Sequence, residues 1–409
     1  MAGSGIGRTF ATKIKVIIIA ASAVLVFASL VIVPQLATNA SQAGNSETRR
    51  IVVFDPQYDY ERQMEIMNVH PVKVDDLQPN ESPWFLSPFS KDMDEFYEQE
   101  IDRAAPEDVH KFFAKSEAYS RYNLIRLPEF LGGGNDDVSS YRAYSAMAVS
   151  NSCGNKYFST RYAIEDPCHG DKYRPWDGLA VSGPAAVGVY SHSLIESPKP
   201  VALPFLALAV DDEGYIVAKR PDPAINGVVG HGRRLSQSEL ESNNRQMLAA
   251  ATAHAGYALP FPPSVIESGP LILEPLDVPW QFRKEGKAAH LKATYYYTGV
   301  KGYGMIEMKA YPVDQFPDLT RGATPDQPLN MTSLAAIQYW PNGPAERLNV
   351  VGQHFAYTSV SEDGRDGAAA ILGKSMDGTR QLLVTVQASV AEGISRDRMA
   401  EIMESLDLT

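Results

Sequence analysis

The chain contains only two cysteines, Cys153 and Cys168, and a histidine, His169, directly follows the second of them. Thiols can be free, form a redox pair or join as a disulfide, depending on their surroundings. In a cytosolic protein, two such cysteines would be free thiols or a redox pair. In an exported protein, a single closely spaced pair suggests one disulfide. The compartment therefore decides which chemistry these residues perform.

An apolar run at residues 16–36 follows the basic N-terminal segment 1–15 and contains no charged side chain. It is long enough to cross a hydrocarbon core of about 30 Å as a helix. A cleaved signal peptide is the alternative, but its apolar region usually spans only ~7–15 residues. Basic residues before such a run stay in the cytoplasm. We therefore expect a single-pass protein of the cell membrane with its bulk outside the cytoplasm, and a disulfide between the two cysteines.

The composition of the remaining chain predicts a mainly β protein with some α structure. Runs rich in β-branched and aromatic residues alternate with Gly, Pro, Asn and Asp. An acidic, helical insertion is expected around 92–119, an alanine-rich helix after residue 235, and a final amphipathic helix that buries Met399 and Ile402. The predicted segments are 1–15 (cytoplasmic), 16–36 (transmembrane), 37–50 (tether), 51–226 (first domain), 227–269 (partly helical linker) and 270–409 (a second, α+β domain with a meandering antiparallel sheet and one packed helix).

The net charge limits the possible partners. At −12, the chain lacks the basic balance that phosphate binding requires, so nucleic acid is not expected as a partner. The lipid bilayer is the expected partner of the apolar run.

Two segments hold the cysteines: YSAMAVSNSCGNKYF, residues 144–158, and AIEDPCHGDKYRPWDGLAVSGPA, residues 163–185. In the second, Pro-Cys-His-Gly, an aromatic residue three positions later, Asp-Gly and Gly-Pro-Ala together resemble the second cluster loop of Rieske iron–sulfur proteins. Residues 203–218 resemble the closing strands of that family. The first segment resembles its other loop, C-x-H-x-G-C. The resemblance implies a Rieske-like β-sandwich with a helical insertion.

The family holds a 2Fe–2S cluster with two cysteines and two histidines. Aligned with that pattern, the four ligand positions are Ala148, Ser150, Asp166 and His169. Three of the four ligands are therefore lost, and only His169 is retained. By the same resemblance, Cys153 and Cys168 correspond to the disulfide that ties the two loops together. The expectation is that no cofactor is bound.

Residues beside the cluster positions are partly retained. Tyr173, Gly183 and Pro184 match the family pattern. Asp171 stands where the family commonly has a serine that donates to cluster sulfur, and an ionised carboxylate lacks that donor. His169, Asp166 and Ser150 could instead hold zinc or iron(II). The simpler interpretation is that they are hydrogen-bonded loop residues, and no metal is expected.

Membrane-anchored Rieske proteins are typically subunits of cytochrome bc-type quinol–cytochrome c oxidoreductases. The resemblance therefore implies a cytochrome b-type membrane subunit and cytochrome c as partners in a respiratory complex. Because the ligands are lost, we expect a structural subunit that performs no catalysis alone, although its parent complex is an oxidoreductase. Two alternatives remain: a working 2Fe–2S electron-transfer subunit with atypical ligands, and a stand-alone envelope protein that binds a ligand or partner.

Overall fold

The computed structural model describes most of the chain from residue 47 onward. The described residues are 47–150, 153–187, 189–190, 193–194, 201–257, 271–275, 291–299, 302–324, 327–342, 346–351, 354–375, 378–390, 393–406 and 408. Contacts divide the chain into two compact units, Met1–Glu47 and Thr48–Thr409. The predicted transmembrane helix, 16–36, lies outside the described residues. Within the described part, no helix is both long enough and apolar enough to cross a bilayer.

The described part of the second unit is mainly β, with antiparallel sheets and a few helices, which confirms the predicted composition of the fold. The strands are β1 Thr48–Arg50, β2 Val52–Asp59, β3 Met64–Pro71, β4 Trp84–Leu86, β5 Arg121–Arg126, β6 Tyr141–Ser145, β7 Lys156–Phe158, β8 Ala163–Glu165, β9 Lys172–Tyr173, β10 Ala180–Ser182, β11 Val189–Tyr190, β12 Ser193–Leu194, β13 Val201–Ala202, β14 Leu208–Val210, β15 Ile216–Lys219, β16 Arg233–Arg234, β17 Leu271–Pro275, β18 Leu291–Gly299, β19 Gly302–Pro312, β20 Glu346–Val351, β21 His354–Val360, β22 Asp366–Lys374 and β23 Gln381–Val390. The α-helices described are α1 Lys91–Glu98, α2 Pro106–Lys115, α3 Pro184–Val187, α4 Pro223–Asn226, α5 Gln237–Ala255, α6 Met331–Ile337 and α7 Arg396–Glu404.

A five-stranded antiparallel sheet follows β1 in the chain, in the order β3-β2-β4-β5-β6. Successive side chains of a strand point to opposite faces. Val53 therefore packs into one apolar cluster with Leu124, while Phe54 packs into another with Phe96 of α1 and Phe113 of α2. The two helices cover one face of the sheet and confirm the predicted helical insertion.

The second antiparallel sheet, in the order β10-β9-β8-β7, follows β6 in the chain and carries the cysteine loops. Ile164 and Tyr173 from this sheet pack against Tyr144 of β6 in one buried cluster. A third sheet pairs β1 with β15, so the last three residues of the predicted tether, Thr48–Arg50, form a strand.

Helix α5 contains the segment predicted as an alanine-rich helix. It begins with a capping box between Ser236 and Glu239 and ends at Gly256, which adopts a left-handed conformation. Met247 and Ala251 belong to an apolar cluster that also contains Leu131 from the first half of the chain. This cluster extends into the C-terminal sheet, so α5 packs against both halves of the chain.

The C-terminal sheet has seven strands in the order β17-β18-β19-β23-β22-β21-β20. It differs from a simple meander because β19 pairs with the final strand, β23. The intervening segment 313–342 carries its own apolar residues, Phe316 and Leu334 among them, and covers one face. Helix α7 covers the opposite face with Met399 and Ile402, which confirms the predicted amphipathic helix. Both faces of the sheet are thus partly buried, one under the predicted helix and the other under segment 313–342.

Candidate functional site

Two hairpin loops place the two cysteines side by side. In the first loop, whose described residues are 146–150 and 153–155, the backbone N–H of Ala148 donates to the carbonyl of Cys153 at 2.9 Å. In the second loop, residues 166–171, the N–H of Asp166 donates to the carbonyl of Asp171 at 2.9 Å. A disulfide joins Cys153 to Cys168, with their Cα atoms 6.3 Å apart. The predicted disulfide is confirmed.

The Asp171 carboxylate lies buried between the loops, with 0 % of its surface exposed. It accepts a hydrogen bond from the Ser150 hydroxyl of the first loop. It also accepts from the phenol of Tyr173 at 3.2 Å and from the backbone N–H of Ala185 at 2.8 Å. One side chain, called the Asp171 hub below, therefore connects both loops to the start of α3.

The phenol of Tyr173 extends this connection. Its oxygen accepts from the backbone N–H of Val149 at 3.1 Å while its O–H donates to Asp171. Burial raises the pKa of Tyr173, and the neighbouring Asp171 carboxylate raises it further. The phenol therefore stays protonated at neutral pH and keeps its donor for the hub.

Gly183 allows the Gly-Pro-Ala segment to lie directly over the hub. Its φ is +80°, and a Cβ built there would stand 2.6 Å from Asp171 Oδ1 and 2.7 Å from the Gly170 carbonyl oxygen. Only glycine accepts both the backbone angle and this close approach at low energetic cost. Pro184 follows as the first residue of α3. The two residues identified from sequence thus bring the Ala185 N–H to the carboxylate.

The four positions aligned with cluster ligands all lie in these loops. Ala148 is fully buried, and its methyl side chain has no atom that could bind metal. Asp166 is 1 % exposed, and its Oδ1 accepts from the backbone N–H of Cys168 at 2.7 Å. The His169 side chain is 55 % exposed, with Nδ1 3.8 Å from Asp166 Oδ2. The sequence therefore identified residues that the fold does bring together.

The donors at these positions do not fit a Rieske cluster. Such a cluster requires two thiolates and two imidazoles from the protein. The sulfurs of Cys153 and Cys168 are bonded to each other, and Ala148 has no ligand atom. His169 provides the single imidazole of the loops, and Ser150 bonds to the Asp171 hub.

A buried ion pair that the sequence analysis did not identify lies just beyond the second loop. The Arg174 guanidinium binds the Asp177 carboxylate through two bonds, of 2.7 and 2.6 Å. Arg174 Nη1 also donates to Asn244 Oδ1 at 2.6 Å and to the Leu271 carbonyl at 2.7 Å. The Asn243 amide donates to Asp177 at 2.9 Å. An arginine and an aspartate three residues apart within an apolar stretch were the available sequence clue.

This ion pair links three parts of the chain: the second sheet, α5 and β17. The Arg174 side chain is 1 % exposed. Burial by itself would raise the pKa of Asp177, but the charge and hydrogen bonds of Arg174 outweigh burial and hold that pKa below its ordinary value. Asp177 is therefore ionised at neutral pH, and its charge is matched inside the protein.

Comparisons with known proteins give little further information. No protein-family model matches the sequence, and no curated protein matches it significantly. Among solved structures, the chain is similar to the NdmA QL mutant of Pseudomonas putida CBB5 with theobromine, at 10% identity and a TM-score of 0.16 over 70% of this chain and 69% of that chain. It is also similar to apo dicamba monooxygenase, at 12% identity and a TM-score of 0.16 over 70% and 73%. Both are Rieske-type oxygenases.

Replacing Cys153 and Cys168 by serine is expected to lower stability without abolishing folding. The disulfide closes a loop across a sequence separation of 15. In the chain-entropy model, such a loop contributes about 3 kcal/mol. Thermal unfolding of the double variant should therefore begin at a lower temperature than that of the wild type under oxidising conditions. A reductant should lower the wild-type midpoint and leave that of the variant unchanged. Equal midpoints under oxidising conditions would disprove the prediction.

Proposed function

We propose that this chain is a membrane-anchored, extracytoplasmic subunit of a cytochrome bc-type quinol–cytochrome c oxidoreductase, with a structural role and no electron transfer of its own. The observation that carries the proposal is the Asp171 hub. A buried carboxylate with three donors holds together the two loops that, by the resemblance, would hold a cluster.

The hub and the disulfide explain how both loops would keep their shape without metal. A buried charge is costly unless hydrogen bonds compensate it, and each of the three donors to Asp171 does so. The same carboxylate would oppose the negative charge of an iron–sulfur cluster beside it. The loops are thus suited to remaining ordered as a docking surface.

The sequence supports the membrane location and the respiratory partners. The apolar run 16–36 is the proposed membrane anchor. The two loops resemble those of membrane-anchored Rieske proteins, and this resemblance implies a cytochrome b-type subunit and cytochrome c as partners. Within such a complex, the extracytoplasmic part of this chain would bind no cluster and would support assembly of the complex, while another subunit carries the electrons.

Spectroscopy of the full-length chain in detergent tests the absence of electron transfer. After anaerobic reconstitution with iron and sulfide, followed by reduction, we expect no Rieske electron paramagnetic resonance signal and no cluster absorption. A Rieske protein with all four ligands, treated in parallel, is the positive control. A Rieske signal from this chain would favour the alternative of an electron carrier with atypical ligands.

Co-purification tests the respiratory complex separately. The tagged full-length chain, extracted from its native membrane in mild detergent, is expected to carry b-type haem that is visible in reduced-minus-oxidised spectra. The Arg174→Met variant, in which the packing of the extracytoplasmic part of the chain is disturbed, should retain less haem. A wild-type chain that purifies without haem would favour the stand-alone envelope protein.

A further inference from the structure

Four side chains where the two loops meet carry metal-ligand chemistry that the disulfide masks. They are Cys153, Asp166, Cys168 and His169, called the thiol cluster below. We propose that the thiol cluster binds one zinc ion when the disulfide is reduced. The site goes beyond the proposed function and does not depend on it, because it requires neither an iron–sulfur cluster nor a respiratory partner.

The ligand atoms are already close to the spacing that zinc requires. Both cysteine sulfurs and one Asp166 carboxylate oxygen lie within 4.8 Å of one another. In a tetrahedral site with zinc–sulfur bonds of about 2.3 Å, ligand atoms stand roughly 3.3–3.8 Å apart. Once the sulfur–sulfur bond is broken, side-chain rotations let the two sulfurs move apart from bonding distance to that spacing and let the carboxylate oxygen approach them.

His169 provides the fourth ligand from the same turn. Its Nδ1 lies 3.8 Å from Asp166 Oδ2, and a side-chain rotation brings it to the roughly 3.3 Å that separates a nitrogen and an oxygen ligand of one tetrahedral zinc ion. Two thiolates, an imidazole and a carboxylate form a borderline-soft set that suits zinc, whereas calcium and magnesium prefer oxygen ligands alone. The chemistry of the set therefore selects the metal.

The loops stay together after reduction because the Asp171 hub does not involve the disulfide. Ser150 bonds to the hub from the first loop, and Tyr173 and Ala185 bond to it from beyond the second. The turn of the second loop is also closed by the N–H of Gly170, which donates to the Asp166 carbonyl at 3.0 Å. The released thiols thus remain facing each other.

The thiol cluster is accessible to both a reductant and an ion. Cys168 and His169 are exposed, and Cys153 is half-buried. A dithiol reductant attacks one sulfur through its thiolate and forms a mixed disulfide, and its second thiol then displaces the protein sulfur. Two electrons pass to the chain, the reductant leaves as its own disulfide, and the two cysteines become thiols. Zinc binding then releases the two thiol protons to solvent.

Zinc titration of the full-length chain in detergent tests the site. The protein is reduced anaerobically with dithiothreitol, freed of reductant, and titrated with Zn²⁺ against a chromophoric chelator. We expect one zinc ion per reduced chain and none per oxidised chain at the same concentrations. Co²⁺ should give a thiolate-to-cobalt charge-transfer band in the reduced protein alone. Equal uptake by both forms, or none by the reduced form, would overturn the proposal.

Two single variants and a matched control test the ligands. His169→Ala and Asp166→Asn should each weaken zinc binding at least as much as loss of an outer-shell partner does, roughly 10–100-fold. His231→Ala, which removes another exposed histidine outside the thiol cluster, should leave the affinity unchanged. Equal affinities for the His169 and His231 variants would exclude the four-ligand site.

Thermal unfolding of the wild type tests the site without any variant, so the result does not depend on whether a variant folds. Zinc should raise the thermal unfolding midpoint of the reduced wild type. The oxidised wild type should show no such rise, since its sulfurs are bonded to each other. A reduced wild type whose midpoint does not respond to zinc would also overturn the proposal.

Discussion

Replacing Arg174 by methionine is expected to destabilise the protein by about 3–5 kcal/mol, the usual cost of leaving one partner of a buried ion pair without its opposite charge. The variant leaves the Asp177 carboxylate, whose side chain is 6 % exposed, without the positive charge of Arg174 beside it. It also removes the donors to Asn244 and to the Leu271 carbonyl, which hold α5 and β17 against the second sheet. Denaturant unfolding of the full-length chain in detergent at neutral pH measures the loss.

An exposed ion pair of the same spacing provides the matched control. Arg103 and Glu100 also lie three residues apart, at 3.4 Å, but their side chains are 75% and 69% exposed. Arg103→Met should therefore cost no more than about 1 kcal/mol. Similar losses for the Arg103 and Arg174 variants would show that burial does not set the strength of the inner pair.

A double variant separates the charge from the packing. Arg174→Met combined with Asp177→Asn removes both charges, and the asparagine still offers an acceptor to the Leu179 N–H. Part of the loss should be recovered because no buried charge remains. A double variant that is less stable than Arg174→Met alone would contradict this account.

The penalty of Arg174→Met should also depend on pH. In the wild type the pKa of Asp177 is lowered, so its ionisation stabilises the fold above the unfolded value of ~3.9 and ceases to do so as pH falls through the folded value. Without Arg174, burial instead favours the neutral acid. The difference between wild type and variant should therefore shrink on acidification.

Replacing Asp171 by alanine is expected to cost about 2–6 kcal/mol, because it leaves two buried donors without their acceptor, at about 1–3 kcal/mol each. The two donors are the Tyr173 phenol and the Ala185 N–H, and the half-buried Ser150 hydroxyl loses its bond to the hub as well. Beyond the loss of stability, amide hydrogen exchange should accelerate in both loops, since the hub connects them. Denaturant unfolding and exchange mass spectrometry check the two effects.

Asp171→Asn is the conservative comparison. An asparagine keeps one acceptor oxygen for Ala185 and can donate its amide to the Ser150 oxygen. We therefore expect a smaller loss than for alanine. Asp212→Ala, at an exposed turn, should lie within about 0.5 kcal/mol of wild type. If Asp171→Ala behaves like Asp212→Ala, the carboxylate does not organise the loops.

Local features of the structure could be predicted from sequence because neighbouring residues set them. The alanine-rich helix was predicted from residues that are neighbours in the chain, and in the structure it begins at a capping box of Ser236 and Glu239 and ends at Gly256. The resemblance of two short segments to a known pair of loops implied that Cys153 and Cys168 pair, and the structure shows this disulfide. Such short-range patterns predict local structure without knowledge of the distant residues that pack against it.

Long-range contacts could not be predicted because they join residues far apart in the chain. Arg174 meets Asn244 across 70 positions and the Leu271 carbonyl across 97. The pairing of β19 with β23 likewise depends on where the segment between them packs. Periodicity reports which face of a strand is apolar, but it does not report which partner covers it.

The sequence by itself placed Cys153 and Cys168 in two short segments whose family resemblance implied the disulfide that the structure shows. The same resemblance aligned Ala148, Ser150 and Asp166 with ligand positions, because each segment is a pattern of residues close together in the chain. Tertiary structure alone decided what occupies the space between the loops. The Asp171 carboxylate, noted in the sequence only as an unfavourable neighbour for a cluster, becomes the acceptor for three separate segments. The physical reason is that a buried charge takes its role from the donors around it, and folding brings those donors from different parts of the chain.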